Sequence, residues 1–379
     1  MRARRLGLLV GQDWSFLSHR LGLARAARDA GYDVTVITPL GGSAQAIRNH
    51  GFRLKHVPFG RNLGTPATDL LAIGRLARLC HELELDVLHN FALKPALIGG
   101  LGGLLAGVPA VVSTVAGLGY MFINHNLKTR ALRLAVTSGL RATMGRAGCR
   151  LIVQNRDDQA LVTDAVVAAE RVRLVRGSGV DARQFAPTPE PEGIPVAVLP
   201  ARMLWDKGVG ELVEAARRLH AAGTPIRIAL VGGPDAGNPR SVGEDQLRAW
   251  HDEGIVEYWG HSGDMPGVWA RAHIAVLPSY REGLPKALLE AAACGRPLVT
   301  TDVPGCRELV EHGANGLLVP VRESAGLAEA LARLAASPEE RLRLGAEARR
   351  RVEAELGDSA IQAAILAVYD EALAGGRQR

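Results

Sequence analysis

The chain has 379 residues, of which 47% are hydrophobic and 22% are charged, and this composition excludes a wholly disordered or collagen-like protein. At roughly 150 residues per domain, the length predicts about two to three domains. Four widely spaced cysteines without a Cys-x-x-Cys pair indicate neither a disulfide framework nor a zinc site, so a reducing cytoplasm is expected.

The net charge of +6 is unevenly distributed. Residues 1–186 contain 24 Lys and Arg against 12 Asp and Glu, a net +12, whereas residues 187–379 contain 21 against 27, a net −6. Between Asp86 and Asp157 there are eight basic residues and no acidic one. This segment could face an anionic membrane or a phosphorylated substrate, or be a solvated basic surface. Nucleic acid is not expected as a partner, because no RNP-like, helix-turn-helix or zinc-finger pattern accompanies the charge.

Two apolar segments resemble targeting or membrane signals. The run at residues 6–10 is too short for a signal peptide, so no export signal is predicted. Residues 95–126 lack charge over a length that could span a bilayer, but glycines and a proline interrupt them. The pattern favours a buried helix over 95–106 and a buried strand over 110–114 instead of a transmembrane helix.

In chain order, short apolar runs predict strands near residues 6–10, 34–38, 57, 86–89, 110–114 and 151–153, with helical patterns such as 19–30 and 69–83 between them. A proline-rich stretch at 181–195 predicts a linker. Strand patterns then resume at 196–199, 226–231, 256–258, 274–277, 297–300 and 316–319, and the tail reads as helices. This alternation predicts α/β domains with doubly wound parallel sheets.

The predicted organisation is therefore a first domain over 1–180, a linker over 181–195 and a second domain over 196–357. A last helix over 358–379 is expected to pack back toward the first domain. Ligands of doubly wound sheets bind beyond the carboxyl ends of the strands, and two such domains facing each other would form one cleft.

Several common site motifs are absent from the sequence. Gly11 to His19 follow the first strand without the G-x-G-x-x-G pattern, which disfavours a nicotinamide or flavin dinucleotide. There is no P-loop and no G-x-S-x-G nucleophile elbow either.

Residues 278–297 are the part of the sequence most densely populated with chemically informative residues. A buried strand ends at Leu277, a loop carries Glu282 and Gly283, and a helix is predicted to open with Pro285 at its first position, which would make its free amides an anion site. If the steps from Glu282 to Glu290 were all helical, the rise would be about 12 Å, too long for a glycosidase carboxylate pair. This spacing suits a sugar nucleotide, although each glutamate could equally be only solvated.

The segment REGLPKALLEAAACGRPLVTTDVPG, with Glu282-x7-Glu290, resembles the Glu-x7-Glu motif of the retaining family 4 glycosyltransferases, which have the GT-B fold of two Rossmann-like domains facing a cleft. The similarity continues in the segments ARMLWDKG at 201–208, LVGG at 230–233 and NGLLVP at 315–320.

The resemblance implies a role for each matched residue. Arg202 and Lys207 would bind the donor diphosphate and stabilise the leaving nucleotide, while Glu282 would contact the donor sugar and Glu290 the ribose hydroxyls. The rest of the implied donor-binding set is Gly233, Gly283 and Leu284. Members of this family need no metal, and the sequence contains neither D-x-D nor H-E-x-x-H. No cofactor is expected.

The first domain resembles bacterial transferases that extend undecaprenyl-diphosphate-linked glycans, the N-acetylgalactosaminyltransferase type among them, at residues 13–20, 89–95 and 115–120. Two positions depart from the family: Gln12-Asp13 replaces a Gly-Gly pair, and Ala116 stands where many relatives have histidine. The usual acceptor-side histidine therefore cannot be transferred. The acceptor-side candidates, chosen for their positions at strand ends, are Asp13, His19, His89 and Lys94; a histidine there could equally be structural.

Together these observations predict a metal-independent, retaining hexosyl or N-acetylhexosaminyl transferase. It would use a nucleotide-sugar, a UDP-sugar by preference, and a lipid-linked glycan acceptor in surface polysaccharide or glycoconjugate biosynthesis. The expected location is cytoplasmic, peripheral on an anionic membrane surface at the inner face of the cytoplasmic membrane. The alternatives are a sugar-nucleotide epimerase or phosphorylase on the same fold, or a non-catalytic sugar-nucleotide-binding partner of a synthesis complex.

Overall fold

In the described part of the chain, residues 2–60, 66–115 and 127–376, the computed structural model contains two separate parallel β-sheets, one in each unit of the chain. The first unit consists of Met1–Ser178 and Ser359–Arg379, and the second of Gly179–Asp358. The first unit has 25 Lys and Arg against 13 Asp and Glu, a net +12, and the second has 20 against 26, a net −6. The charge asymmetry of the sequence therefore follows the division into units.

Within its described residues, the first unit has seven strands, all parallel to their neighbours. They are β1 (Arg4–Val10), β2 (Tyr32–Thr38), β3 (Arg53–His56), β4 (Val87–Phe91), β5 (Ala110–Val115), β6 (Cys149–Val153) and β7 (Val172–Leu174). Their spatial order is β3-β2-β1-β4-β5-β6-β7, so the order of strands reverses between β1 and β4. The sequence pattern misses β7, because a three-residue edge strand is too short to show a period.

Helices cover both faces of this sheet. They are α1 (Asp13–His19), α2 (Leu21–Asp29), α3 (Ala44–Asn49), α4 (Pro66–Glu82), α5 (Leu93–Leu105), α6 (Leu127–Met144) and α7 (Arg156–Ala165). On one face of the sheet, α5 packs against both α4 and α6. Gly102 of α5 lies against Leu76 of α4, and Gly100 of α5 lies so close to Thr143 of α6 that a Cβ there would be 2.6 Å from it. The predicted helix and strand of the uncharged segment are confirmed as α5 and β5. Within the described residues, no helix combines the length and the apolar sequence that a transmembrane span requires.

The second unit is described throughout and has six parallel strands in the order β10-β9-β8-β11-β12-β13. They are β8 (Val196–Pro200), β9 (Arg227–Val231), β10 (Glu257–Gly260), β11 (Ile274–Leu277), β12 (Leu298–Thr301) and β13 (Gly316–Val319). The order of strands reverses between β8 and β11, as it does between β1 and β4. Both sheets are thus doubly wound, as the sequence predicts.

The remaining helices are α8 (Val209–Ala221), α9 (Glu244–Asp252), α10 (Met265–Ala270), α11 (Lys286–Ala293), α12 (Cys306–Leu309), α13 (Ser324–Ala336), α14 (Pro338–Arg351) and α15 (Asp358–Gly376). From Ser359 onward α15 belongs to the first unit, where Ile365 and Tyr369 are buried in the same core as α2.

The proline-rich stretch at 181–195 differs from the predicted linker, because it belongs to the second unit. Phe185 is buried in the core of that unit, and Glu190 forms an ion pair of 2.8 Å with the buried Arg341. The carbonyl oxygen of Pro191 lies 2.9 Å from Nε2 of His273. Proline has no N–H group that needs a hydrogen-bond acceptor. A proline-rich segment can therefore pack along the surface of a domain if side chains donate hydrogen bonds to its carbonyl groups.

Candidate functional site

The motif residues of the second unit lie at the carboxyl ends of β8 and β11, the two adjacent strands at which the strand order reverses. The loop after β8 carries Arg202 and Lys207, the loop after β11 carries Glu282, and α11 carries Glu290. Such a switch point is where doubly wound sheets bind their ligands. The fold therefore brings the four predicted residues to one edge of one sheet.

The loops after β8 and β11 are bound to each other through one carbonyl group. The amide of Tyr280 donates to the carbonyl oxygen of Asp206 at 2.9 Å, and the hydroxyl of Ser279 donates to the same oxygen at 3.2 Å. Gly208 has φ +73°, and a Cβ there would lie 2.1 Å from the carbonyl oxygen of Pro278. Only glycine fits this left-handed, close-packed position, which keeps Lys207 beside the β11 loop.

Lys207 forms an ion pair with Glu282 through Nζ and Oε1. Both side chains are largely buried, with 22% of Lys207 and 11% of Glu282 exposed. Partial burial strengthens such a pair relative to one in open water, because the local dielectric is lower. The loops after β8 and β11 therefore hold an ammonium group and a carboxylate side by side.

Arg202 is held by a residue that the sequence did not single out. Its Nη1 lies 2.5 Å from Oδ2 of Asp235, which follows β9. The same two loops are joined by the amide of Met203, which donates to the carbonyl oxygen of Gly233 at 3.0 Å. A Cβ at Gly233 would have no atom within 4 Å, so this predicted donor-binding residue borders open space.

Glu290 is buried in α11, one turn from Lys286, with 3.3 Å between Oε1 and Nζ. Burial raises the pKa of the Glu290 carboxyl, and the Lys286 ammonium opposes that rise. The helix begins one residue later than predicted. Pro285 is the extended N-cap rather than the first helical residue, because the amides of Leu288 and Leu289 both donate to its carbonyl oxygen.

The loop with Glu282 and Gly283 rests on a glycine after β12. Gly305 has φ +83°, and a Cβ there would lie 2.2 Å from the carbonyl oxygen of Gly283. This contact was not predicted from the sequence, because it depends on the packing of two loops. Leu284, predicted as a donor-binding residue, places its side chain in the core of the second unit.

Asp13, an acceptor-side candidate in the first unit, is held by backbone amides of the same unit. Its buried carboxylate accepts hydrogen bonds from the backbone amides of Trp14 (2.8 Å), Gly41 (2.8 Å) and Ser43 (2.9 Å). Three amides on one carboxylate occupy most of its capacity as an acceptor. Asp13 therefore ties the loop after β2 to the start of α1.

His89 fits the structural alternative for a histidine at this position, because its ring is fully buried and both nitrogens have partners. Nδ1 lies 2.7 Å from the hydroxyl of Tyr369, and Nε2 lies 2.7 Å from the hydroxyl of Thr114. Burial, assisted by the Arg20 guanidinium, lowers the pKa of His89 well below its usual range. The ring is therefore neutral and links α15 to β5.

The other acceptor-side positions differ from each other. Lys94 is buried and forms an ion pair of 2.8 Å with Asp69, so its ammonium group has a partner within the first unit. His19 is the exposed member of the four, with Nδ1 2.6 Å from the hydroxyl of Ser18. Ala116 and the motif over 116–120 lie outside the described residues.

Across the described ranges, no group of three or more His, Cys, Asp or Glu side chains is arranged to hold a metal ion. The charged groups of the site are instead paired: Arg202 with Asp235, Lys207 with Glu282, and Lys286 with Glu290. Such a site can bind an anion with its cations and accept hydroxyl hydrogen bonds with its carboxylates.

Family models match both halves of the chain. The model described as Glycosyl transferase 4-like matches residues 5–144, and the model described as Glycosyl transferases group 1 matches residues 194–337. The second match contains the whole Arg202, Lys207, Glu282 and Glu290 set.

Two curated relatives are similar over most of their length. The chain is 28% identical over 357 residues to the N,N'-diacetylbacillosaminyl-diphospho-undecaprenol alpha-1,3-N-acetylgalactosaminyltransferase of Campylobacter jejuni, covering 91% of this chain and 93% of that protein. It is 24% identical to the UDP-Gal:alpha-D-GlcNAc-diphosphoundecaprenol alpha-1,3-galactosyltransferase of Escherichia coli, covering 80% of each.

Solved structures share the fold at low sequence identity. Anabaena HepE in complex with UDP and glucose matches with a TM-score of 0.76 at 18% identity, covering 97% of this chain and 100% of that chain. Sucrose-phosphate synthase from Thermosynechococcus elongatus matches with a TM-score of 0.79 at 21% identity, covering 98% and 99%.

Proposed function

This chain belongs to the glycosyltransferases of the group 1 and 4-like families and has the GT-B fold, and we propose that it transfers a hexose or N-acetylhexosamine from a UDP-sugar to a lipid-linked glycan. The observation that carries the proposal is the Lys207–Glu282 pair at the switch point of the second sheet. The names of the Campylobacter and Escherichia relatives, both of which include a diphospho-undecaprenol acceptor, support the choice of acceptor.

The proposed donor-binding step uses the two cations after β8. Arg202 and Lys207 would bind the diphosphate, on which negative charge grows as the bond to the sugar breaks. Their carboxylate partners, Asp235 and Glu282, hold both side chains in place before the donor arrives. Cations fixed in advance stabilise this charge without reorganising during the reaction, which is why such positioning accelerates transfer.

The two glutamates would bind hydroxyl groups at opposite ends of the donor. Glu282 would accept hydrogen bonds from the sugar, and Glu290 would accept them from the ribose. Lys286 supports this role of Glu290, because its ammonium favours the ionised carboxylate that burial disfavours.

Transfer is proposed to retain the configuration of the sugar and to need no metal. The acceptor hydroxyl oxygen would bond to the anomeric carbon on the face that the phosphate leaves, and its proton would pass to a leaving phosphate oxygen. Arg202 and Lys207 would supply the positive charge that a bound metal ion supplies in metal-dependent enzymes. Turnover that persists undiminished in excess EDTA is the expected result, and strict dependence on a divalent cation would contradict this part.

The enzyme is proposed to act on the cytoplasmic side of the membrane, bound peripherally to its inner face. The supporting observation is the net charge of +12 on the first unit. We expect salt washing to release the protein from membrane fractions, because screening weakens attraction to anionic lipids. Recovery of the protein entirely in the soluble fraction at low salt would contradict this location.

The function is tested by screening UDP- and GDP-sugars with short polyprenyl-diphosphate-linked glycans as acceptors. We expect acceptor-dependent release of UDP, with sharp losses in Lys207→Ala and Glu282→Ala. The control Lys55→Ala removes an exposed lysine of β3 and should retain activity. Isomerisation of the UDP-sugar without an acceptor, or full activity in both site variants, would overturn the proposal.

A further inference from the structure

An arginine without a counter-ion lies over the carboxyl end of β4 in the first unit. The guanidinium carbon of Arg20, the residue between α1 and α2, is 4.2 Å from the centre of the Phe91 ring, and Phe91 is the last residue of β4. Within the described residues, the Arg20 side chain has neither a carboxylate partner nor a hydrogen bond. It is partly exposed, so a ligand can reach it.

The surroundings of Arg20 supply no negative charge. Burial lowers the pKa of Arg20 to about 10, and the Tyr369 hydroxyl acts in the opposite direction. The guanidinium therefore stays charged at neutral pH. His89, which also interacts electrostatically with Arg20, is itself kept neutral by burial. A poorly hydrated cation without an opposite charge is unfavourable, and an anionic ligand would remove this penalty.

Arg20 lies at the switch point of the first sheet. The strand order reverses between β1 and β4, and Phe91 ends β4. Ligands of doubly wound sheets bind at this place. The ring of Phe91 also contacts that of His89, with 3.9 Å between the ring centres, because alternate residues of a strand lie on the same face. Arg20 is thus held on aromatic rings at the edge of the sheet where ligands bind.

The backbone next to Phe91 is strained. Ala92 has φ +80° and ψ 165°, a conformation that essentially only glycine adopts readily. Its amide donates to the carbonyl oxygen of Thr114 in β5 at 2.9 Å, so the neighbouring strand holds Ala92 in this conformation. Strain that is enforced in this way is concentrated at binding sites. It agrees with a binding role for this end of β4.

The chemistry of the guanidinium group favours an oxyanion as the ligand. A guanidinium that lies over a ring can still donate two parallel hydrogen bonds from its edge to phosphate oxygens. In the proposed function, Arg202 and Lys207 of the second unit bind the diphosphate of the donor. The diphosphate of the lipid-linked acceptor is a second anion and needs a cation of its own.

We propose that Arg20 binds the diphosphate of the lipid-linked acceptor. The inference rests on the proposed function, because that function supplies a substrate with a second diphosphate. It also gives a reason why two separate sequence segments of the first domain, residues 13–20 and 89–95, contain Arg20 and Phe91. The fold brings the two segments together at this contact.

The first test is calorimetric titration of geranyl diphosphate, a water-soluble prenyl diphosphate, into the full-length protein saturated with UDP. UDP keeps the probe away from the donor-binding residues. We expect the wild type to bind the probe and Arg20→Gln to have a Kd at least about tenfold higher, because a charge-assisted hydrogen bond is lost. Arg20→Lys keeps the charge without the planar donors and should fall between them. The Kd for UDP should be the same in all three proteins.

The matched control is Arg28→Gln. Arg28 also lies over a phenylalanine ring, 5.6 Å from the centre of Phe52, but it has Asp29 as a partner at 3.5 Å. This variant should bind geranyl diphosphate like the wild type. Urea unfolding tests whether Arg20 is only structural. Arg20→Gln should be at least as stable as the wild type, because it removes an unpaired charge.

The second test is the transfer reaction itself. Arg20→Gln should raise the KM for the polyprenyl-diphosphate-linked acceptor at least about tenfold and leave the KM for the UDP-sugar unchanged. Prenyl diphosphate binding that weakens while the acceptor KM stays the same would assign Arg20 to another phosphate ligand and overturn the inference.

The inference would also be overturned if the wild type did not bind geranyl diphosphate, if Arg20→Gln bound it normally, or if Arg28→Gln lost as much affinity. An Arg20→Gln variant that is less stable but binds the probe normally would make Arg20 a structural residue. Absence of transfer to every acceptor would overturn the proposed function and leave the calorimetric result on Arg20 unchanged, so the two proposals fail separately.

Discussion

The two units have the same kind of sheet but use the polar residues at their strand ends differently. In the second unit, Arg202 and Lys207 are held by carboxylates on neighbouring loops and remain partly exposed at the switch point. In the first unit, Asp13 follows β1 and His89 lies within β4, the two strands at the corresponding switch point, but their hydrogen-bonding groups are occupied inside the protein. A polar residue at a strand end becomes part of a binding site only if its neighbours leave it able to bind something else.

This contrast predicts that variants in the second unit lose turnover while variants in the first lose stability. The largest effect is expected for Lys207→Ala. Loss of one fixed cation at the leaving phosphate should lower kcat about 10²- to 10³-fold, since a single preorganised group at developing charge contributes about 3–4 kcal/mol. Steady-state kinetics with saturating UDP-sugar provide the measurement, with Lys55→Ala as the control. Unchanged kcat would remove Lys207 from the mechanism.

The next effect is on the stability of the first unit. His89→Ala leaves the Tyr369 and Thr114 hydroxyls without their partner and opens a cavity, so the free energy of unfolding should fall by about 2–4 kcal/mol. Urea unfolding measures this loss, and the exposed His81→Ala provides the control.

A milder variant keeps this prediction testable if His89→Ala does not fold. Tyr369→Phe removes one hydrogen bond and should cost about 1 kcal/mol. Folded protein of either variant should retain most of its turnover. A large loss of kcat at unchanged stability would assign His89 to the acceptor site and contradict this difference between the two units.

A smaller effect is expected where backbone packing supports the site. Gly305→Ala places a Cβ against the Gly283 carbonyl oxygen and should displace the Glu282 loop, lowering kcat/KM about tenfold. Gly313→Ala is the matched control, because Gly313 has a similar φ of +78° and no atom within 4 Å of its Cβ position. Equal losses of activity in both variants would show that strain, and not support of Glu282, is responsible.

The last effect concerns Asp358, where the chain leaves the second unit. Burial, with a further contribution from Asp181, raises the pKa of this carboxyl from 3.8 to about 6. The folded protein then binds the proton more tightly than the unfolded chain does. The stabilisation is therefore complete below pH 3.8 and is lost as the pH rises toward about 6.

Asparagine cannot ionise, so Asp358→Asn should raise the free energy of unfolding at pH 7 by about 1–2 kcal/mol and flatten its pH dependence. Urea unfolding from pH 4 to pH 7 is the measurement. Asp245→Asn, at the exposed start of α9, should show no such gain. A variant that is less stable than wild type at pH 7 would contradict the assignment.

The sequence was sufficient for both sheets apart from the short edge strand β7, and for finding the motif of the second unit, because buried parallel strands appear as apolar runs and the motif residues lie in short segments around them. It was not sufficient for contacts between distant segments. Asp235 beside Arg202 and Gly305 beneath Gly283 depend on how loops pack after folding. The burial of His89 depends on Tyr369, which lies 280 residues later in the chain.

The proline-rich segment shows the same limit. Its composition predicts a linker between two domains, but the structure places it in the second unit, where Glu190 pairs with Arg341 and the Pro191 carbonyl contacts His273. Similarity of motifs also did not predict which strand-end residues of the first unit are accessible to a ligand.

The central claim is that the loops after β8 and β11 bind the nucleotide through Arg202 and Lys207. Calorimetric titration of UDP into the full-length protein in excess EDTA tests it most directly. We expect binding by the wild type and by Asp13→Asn with similar Kd, and a Kd at least about tenfold higher for Lys207→Ala, since one lost charge-assisted hydrogen bond contributes about 1.5–3 kcal/mol. Absence of UDP binding, or a loss confined to Asp13→Asn, would contradict the account.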